Sequence, residues 1–320
     1  MRSFLRALAL LTPVLLAVPA SAADYPNRPV KLIVPFGAGG PADVYARVLA
    51  KYLSDETKQS FVVEDRPGAG SIIGTDAVAK STPDGYTLLV MSNTHTVNET
   101  LLPHKPFKLM RDFLPVASIN SSDLLMVVNP SVPAKTVKEF IDLAKKEPGK
   151  LNYASSGPGT PYHMAGELFK AMTHTDIVHV PHKASGDARN SVVSGTVQMM
   201  FDAVTTMSAL AKGGQVRALA TTGLTRNALT PNLPTVAETV PGYEATIWLG
   251  VMAPKGTPKT VIDYLNKHIN TVLQNPEVKA AWLKQGAVPM VKTPDEFGAF
   301  LNKDIDKWAN VIKTAHITVQ

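Results

Sequence analysis

Twice in this chain a short apolar run empties into a turn rich in glycine and proline and then into an amphipathic helix, the pattern of βα units built around a sheet. The first instance is Lys31 to Val34, followed by Pro35-Phe36-Gly37-Ala38-Gly39-Gly40-Pro41-Ala42-Asp43 and a helix with Val44, Val48, Leu49 and Tyr52 inward. The second is Leu151 to Ala154, followed by Ser155-Ser156-Gly157-Pro158-Gly159-Thr160-Pro161 and a helix carrying His163, Glu167, Leu168 and Phe169. Glycine lets the backbone take φ > 0 and lets a ligand come close, and a helix start offers unpaired N–H groups at the positive end of the macrodipole. Each turn is expected to act as an anion cradle beyond the carboxyl end of its strand, where doubly wound sheets hold ligands. Micromolar affinity corresponds to about 8 kcal/mol. A hydrogen bond to a charged group supplies ~1.5–3 kcal/mol and a helix terminus ~0.3–2 kcal/mol, so one cradle is marginal and two facing across a cleft suffice.

The remaining organisation fits two domains. The 320 residues, less a leader at 1–22, exceed one compact core and suit two units of ~150. Further strands are expected at Phe61 to Glu64, Thr87 to Met91, Leu124 to Val128, Ile177 to Val180, Val197 to Phe201 and Val216 to Thr221. Val137, Phe140, Ile141 and Ala144 recur at helical spacing behind a Thr136/Glu139 capping box. Thr257-Pro258 opens a C-terminal helix, and Thr293-Pro294 with Glu296 opens another whose stripe is Phe297, Phe300, Leu301, Ile305, Trp308 and Ile312. No linker composition separates the units, so the chain is expected to cross between lobes near Asn120 to Asp123 and near Tyr243 to Trp248, returning the C-terminal helices to the first lobe.

The leader reads as an address. Arg2 and Arg6, the apolar run Ala7 to Val18 and the small residues Ala20-Ser21-Ala22 form a cleavable signal peptide, making Ala23 the expected mature N-terminus. The run falls short of the ~20 residues of a membrane span, and Arg2 and Arg6 are not a twin-arginine pair, so export without an inserted cofactor is expected. The absence of cysteine excludes disulfides, thiolate zinc sites, a cysteine nucleophile and a lipid anchor on an N-terminal cysteine. A formal charge of +6 with no basic runs suits small anions rather than nucleic acid.

Catalytic readings are weaker. Gly37-x-Gly39-x-x-Ala42 with Glu64-Asp65 satisfies the dinucleotide fingerprint, but Pro41 interrupts it and Asp43 would repel a pyrophosphate; Asp43 is better read as a cap for local N–H groups. His163 and Glu167, with His174, His179 and His182 beyond, do not form a His-Glu-x-x-His motif. There is no Gly-x-Ser-x-Gly elbow, so Ser155 and Ser156 read as hydrogen-bonding groups.

Ordered motifs along nearly the whole mature chain resemble the Bug-type extracytoplasmic solute receptors associated with tripartite tricarboxylate transporters. They include Ile33-Val34-Pro35-Phe36, Ala38-Gly39-Gly40 with Asp43, Arg66-Pro67-Gly68-Ala69-Gly70, Pro83-Asp84-Gly85-Tyr86, Tyr153 to Gly159, His163 with Glu167-Leu168-Phe169, His179-Val180-Pro181, Phe201-Asp202 and Ala253-Pro254 with Gly256-Thr257-Pro258. The resemblance implies an α/β, two-lobed periplasmic binding protein type II-like (Venus flytrap) fold, each lobe a mostly parallel sheet flanked by helices. Residues 23–122 plus 246–320 would form lobe 1, and 123–245 lobe 2.

It also implies a periplasmic protein without cofactor or metal: the expectation is a monomer that is no enzyme, binds a small carboxylate, and delivers it to membrane permease subunits. Presentation of the ligand to a signalling partner is an alternative, and a periplasmic enzyme a remoter one. Carried over by position, Phe36, Ala38, Gly39 and Gly40 line the first arm and Ser155, Gly157 and Thr160 the second, with Ser92 and Asp202 reading the far end of the ligand and His163 beside the second turn. The chain departs from its relatives at His182, where they carry tyrosine, and beyond at Lys183-Ala184, Asp187-Ala188 and Arg189. His182 is expected at the cleft rim, where an imidazole would make binding pH-sensitive.

Overall fold

The computed structural model describes residues 25–315 and 317–318, so the expected leader at 1–22 lies outside the described residues. β1 (Val30–Val34), α1 (Pro41–Thr57), β2 (Phe61–Asp65), α2 (Ile72–Ala79) and β3 (Thr87–Ser92) start the first sheet, in the parallel order β2-β1-β3. α3 (Asn93–Leu101) and α4 (Leu109–Asp112) then lead into β4 (Phe113–Val128).

The second sheet follows through α5 (Val137–Lys146), β5 (Asn152–Ser155), α6 (Pro161–Thr173), β6 (Val178–Pro181), α7 (Ser185–Val193), β7 (Met199–Ala203), α8 (Val204–Lys212) and β8 (Arg217–Thr221). β5 runs parallel to β6 and β7, whereas β4 runs antiparallel to β7 and β8. The chain returns in β9 (Thr246–Pro254), which lies antiparallel between β3 and β4, and continues through α9 (Lys259–Gln274), α10 (Pro276–Leu283), β10 (Ala287–Pro289) and α11 (Pro294–Thr314). Parallel pairing is thus confined to the outer strands, and each sheet is mixed because the strands near the crossing run the other way.

β4 belongs to both sheets. Phe113 through Asp123 pair with β9, and Leu124 through Val128 pair with β7. The sequence suggests only the second stretch, because Ser118, Asn120, Ser121 and Ser122 interrupt the apolar pattern; here Ser118 is buried and its hydroxyl donates to the Met290 carbonyl. β9 likewise runs on to Pro254 where only a crossing near Tyr243 to Trp248 is expected.

Side chains alternate across each sheet, as the two-residue period of a strand requires. Leu32 and Val34 pack on α1, α9 and α10, while Ile33 on the opposite face meets the core containing Val78, Phe113 and Phe297. In the second sheet Met126 and Phe201 face Phe140 and Phe169, and Leu125 and Met200 face Ala188 and Met207. α5 is capped by Thr136, whose hydroxyl accepts from Glu139 N–H at 3.1 Å, but Glu139 reaches back to Lys135 N–H and not to the cap residue, so the reciprocal box is not closed.

α11 does not stay with one sheet. Thr293 and Glu296 close a capping box at its start, and Phe297 and Leu301 pack into the core beneath the first sheet. Trp308, Val311 and Ile312 pack with Leu124, Phe140, Phe169 and Tyr243 beneath the second.

Candidate functional site

The first turn is shaped by its own acid. Gly39, at φ +75°, donates its N–H to Asp43 Oδ2 at 2.8 Å, and the Gly40 N–H reaches the Gly37 carbonyl at 3.3 Å before Pro41 starts α1. Asp43 is buried and lies 2.6 Å from Arg47 Nε, though without full hydrogen-bond geometry at its Oδ1; Arg47 also bridges to Asp65 at 2.8 Å. Burial first, and the Asp43 charge second, push the Asp65 carboxyl up. Asp43 thus serves the local N–H groups, as its place at a helix start suggests. Ala38 and Gly39 are exposed, and Phe36 and Gly40 are half-buried.

The second turn is likewise self-satisfied. The Gly157 N–H donates to Ser155 Oγ at 3.1 Å, the Gly159 N–H to His163 Nδ1 at 3.1 Å, and the Thr160 N–H to the Gly157 carbonyl at 3.4 Å. Thr160 caps α6, with Pro161 in the first helical position. Gly157 and Gly159 sit at φ +112° and +74°, a region that glycine enters without a Cβ penalty. The amides of Gly39, Gly40, Gly157, Gly159 and Thr160 are therefore engaged inside the turns. What the turns present is bare, pre-shaped backbone and the first-turn amides of α1 and α6, each with the positive end of its macrodipole.

One helix touches both turns, and it is the element sequence reasoning missed. Phe36 makes an edge contact with His95 of α3 at 5.8 Å between ring centres. Further along α3, Asn98 donates to the Gly70 carbonyl at 2.9 Å, and a Cβ placed on Gly159 would lie 2.8 Å from Leu101 Cδ2 and 3.5 Å from Asn98 Oδ1. Ser92 is buried at the start of this helix, where its hydroxyl accepts from the Thr94 N–H at 3.2 Å. Ser92 through Asn98 are all buried although only Val97 is apolar. A polar run directly after an apolar strand is the signal that was available in the sequence. Burial pushes His95 down to about 4, and its Nε2 lies 3.0 Å from Thr75 Oγ1.

Ser155, Gly157, Thr160, His163 and His182 come together around the second turn. His182 donates its N–H to the Ser155 carbonyl at 2.9 Å, its carbonyl lies 3.6 Å from a Cβ on Gly157, and its Nε2 is 3.2 Å from Ser191 Oγ. Asp202 stands apart at the end of β7. It is fully buried and accepts from Arg189 Nε at 2.5 Å, Arg189 NH2 at 3.3 Å and the Ala203 N–H at 2.7 Å. Its oxygens are engaged by donors of the protein, and Arg189 is engaged in the same pair.

The metal-like spacing of His163 and Glu167 has another use. Glu167 accepts from Tyr153 OH at 2.5 Å and from Lys170 at 2.9 Å, and among the described residues no group of three His, Asp or Glu side chains is arranged to hold a metal ion. Among the described residues no helix is long and apolar enough to cross a membrane. A cavity of about 550 Å³ lined by Leu125, Ser208, Arg217, Leu229 and Leu233 includes no residue of either turn.

A family model described as "Tripartite tricarboxylate transporter family receptor" matches residues 45–317. The chain is 40% identical over 301 residues to protein BugT of Bordetella pertussis, covering 93% of this chain and 92% of that one. Among solved structures, an R. palustris protein with adipate superposes with a TM-score of 0.84 at 34% identity, covering 92% of this chain and 99% of its own. The periplasmic binding protein BugD gives 0.81 at 32% identity over 92% and 100% of the two chains. MatC from Rhodopseudomonas palustris with bound malate gives 0.79 at 28% identity over 90% and 100%.

Proposed function

This chain belongs to the tripartite tricarboxylate transporter receptor family, and from that premise we propose that it captures a small carboxylate between its two strand–turn–helix elements and passes it to the permease of such a transporter. Members of the family are solute-binding receptors and not enzymes, and they are periplasmic. The observation that carries the reading is the meeting of both glycine turns on α3, which gives one ligand access to two helix N-termini. Adipate and malate in solved relatives suggest the acids to try first.

In this reading residues 23–122 with 246–320, and 123–245, are lobes that open and close, α11 running between them, and ligand favours the closed state. Residues 1–22 are removed on export, and the mature receptor works as a monomer. Phe36, Ala38, Gly39 and Gly40 face Ser155, Gly157, Thr160 and His163, with Ser92, His182 and Arg189 at the periphery. Mass spectrometry of ligand released from freshly purified protein, followed by a thermal-shift screen of mono-, di- and tricarboxylates, tests this. One carboxylate class should raise the unfolding midpoint and be recovered unchanged, ligand at a hundred times Kd adding about 2.7 kcal/mol. Product formation, or a panel in which no acid stabilises the protein, would overturn the reading.

A further inference from the structure

A buried histidine, His163, and a half-buried one, His179, stand directly behind the second turn, one next to each of two of its glycines. A backbone N–H can only donate, so His163 Nδ1, 3.1 Å from the Gly159 N–H, must be bare and its ring proton must sit on Nε2. On the other side Ser155 Oγ accepts from the Gly157 N–H and lies 2.7 Å from His179 Nε2 but 3.3 Å from the Gly157 carbonyl. With the serine proton on the shorter contact, Nε2 is bare and Nδ1 carries the ring proton. The two rings are 4.2 Å apart, and His179 stacks on Tyr153 at 4.8 Å.

We propose that His163 and His179 are a paired positioning device, neutral and in opposite tautomers, whose bare nitrogens fix the orientation of Gly159 and, through Ser155, of Gly157, and so set the affinity of the ligand cradle. This rests on the second turn being half of the ligand site. The groups facing the pair are Tyr153, Glu167, Lys170 and His182. Glu167, held by Tyr153 and Lys170, favours an imidazolium at His179, but burial and the His163 ring outweigh it and Lys170 opposes it. Burial pushes His163 down to about 4 and His179 to about 3. A proton added to His163 Nδ1 would point at the Gly159 N–H and force that glycine to turn.

The test has two arms. In ligand-free protein labelled with 15N-histidine, long-range 1H–15N spectra at neutral pH should show a bare Nδ1 on His163 and a bare Nε2 on His179. Calorimetry with adipate, then malate, should show His163→Leu weakened about tenfold, the scale of one lost hydrogen bond. His163→Asn, whose carbonyl can still accept from Gly159, should regain severalfold of the affinity lost in the Leu variant although it too lacks the ring. Identical tautomers in the two rings, or Leu and Asn variants that bind alike, overturn the proposal. If wild type binds no acid of the mono-, di- and tricarboxylate panel while the tautomers are opposite, the carboxylate reading falls and the paired arrangement stands.

Discussion

Asp202, expected at the far end of the ligand, stands at a strand end within a buried ion pair. Its position at a strand end marks it for the site, but a carboxylate removed from water needs donors, and Arg189 and the Ala203 N–H supply them. Leaving this charge unpaired should cost ~3–5 kcal/mol. Arg189→Met is therefore expected to destabilise strongly in urea unfolding, and Arg189→Met with Asp202→Leu to recover more than half of that loss; equal losses in the single and double variants would show that the pair is not coupled. At Gly39 the expectation concerns ligand. A Cβ there meets open space, where the ligand would approach, and the positive φ penalises a branched side chain. Gly39→Val should bind at least about tenfold more weakly, a loss of ~1.4 kcal/mol, with the protein still folded by circular dichroism; undiminished affinity would take the first turn out of the site.

At the scale of elements, the two strand–turn–helix units were legible because glycine, proline and apolar periodicity punctuate them locally. The expected strand beginning at Lys31 starts at Val30, and the one beginning at Leu151 starts at Asn152. β9, β10 and the first part of β4 were not legible, because their pairing is decided by neighbours far along the chain and their polar residues are buried by tertiary contacts. The internal bonding of the turn amides was equally hidden, since Gly159 finds its partner only once α6 has formed and His163 has come to lie behind it. Gly250 shows such a long-range constraint: a Cβ there would collide with the ring of Phe297 from α11. Gly250→Ala should lower stability by ~1–3 kcal/mol through overpacking, and Phe297→Leu in the same chain should restore part of it. Additive losses in thermal unfolding would place the strain elsewhere.

For the whole molecule, burial holds His95 and His163 down to about 4 and His179 to about 3. The unfolded chain then takes up more protons between pH ~6.5 and ~4, so stability present at neutral pH is lost as the pH falls through that window. Asp304 opposes this. Burial pushes it up to about 6, so the folded chain holds its proton first and gains stability on acidification. Asp65 and Asp123 are pushed up as well, but less than the histidines are pushed down, so the urea midpoint should fall between pH 7 and pH 5; a midpoint that rises would show that carboxylates dominate.

If the halves open and close as proposed, α11 is a stop against excessive gape. With Phe297 and Leu301 seated under one sheet and Trp308 under the other, parting the halves beyond the play of a single helix must either unseat that indole or fray the last turns. A released guest would leave through a mouth whose width is rationed by the final stretch of the chain.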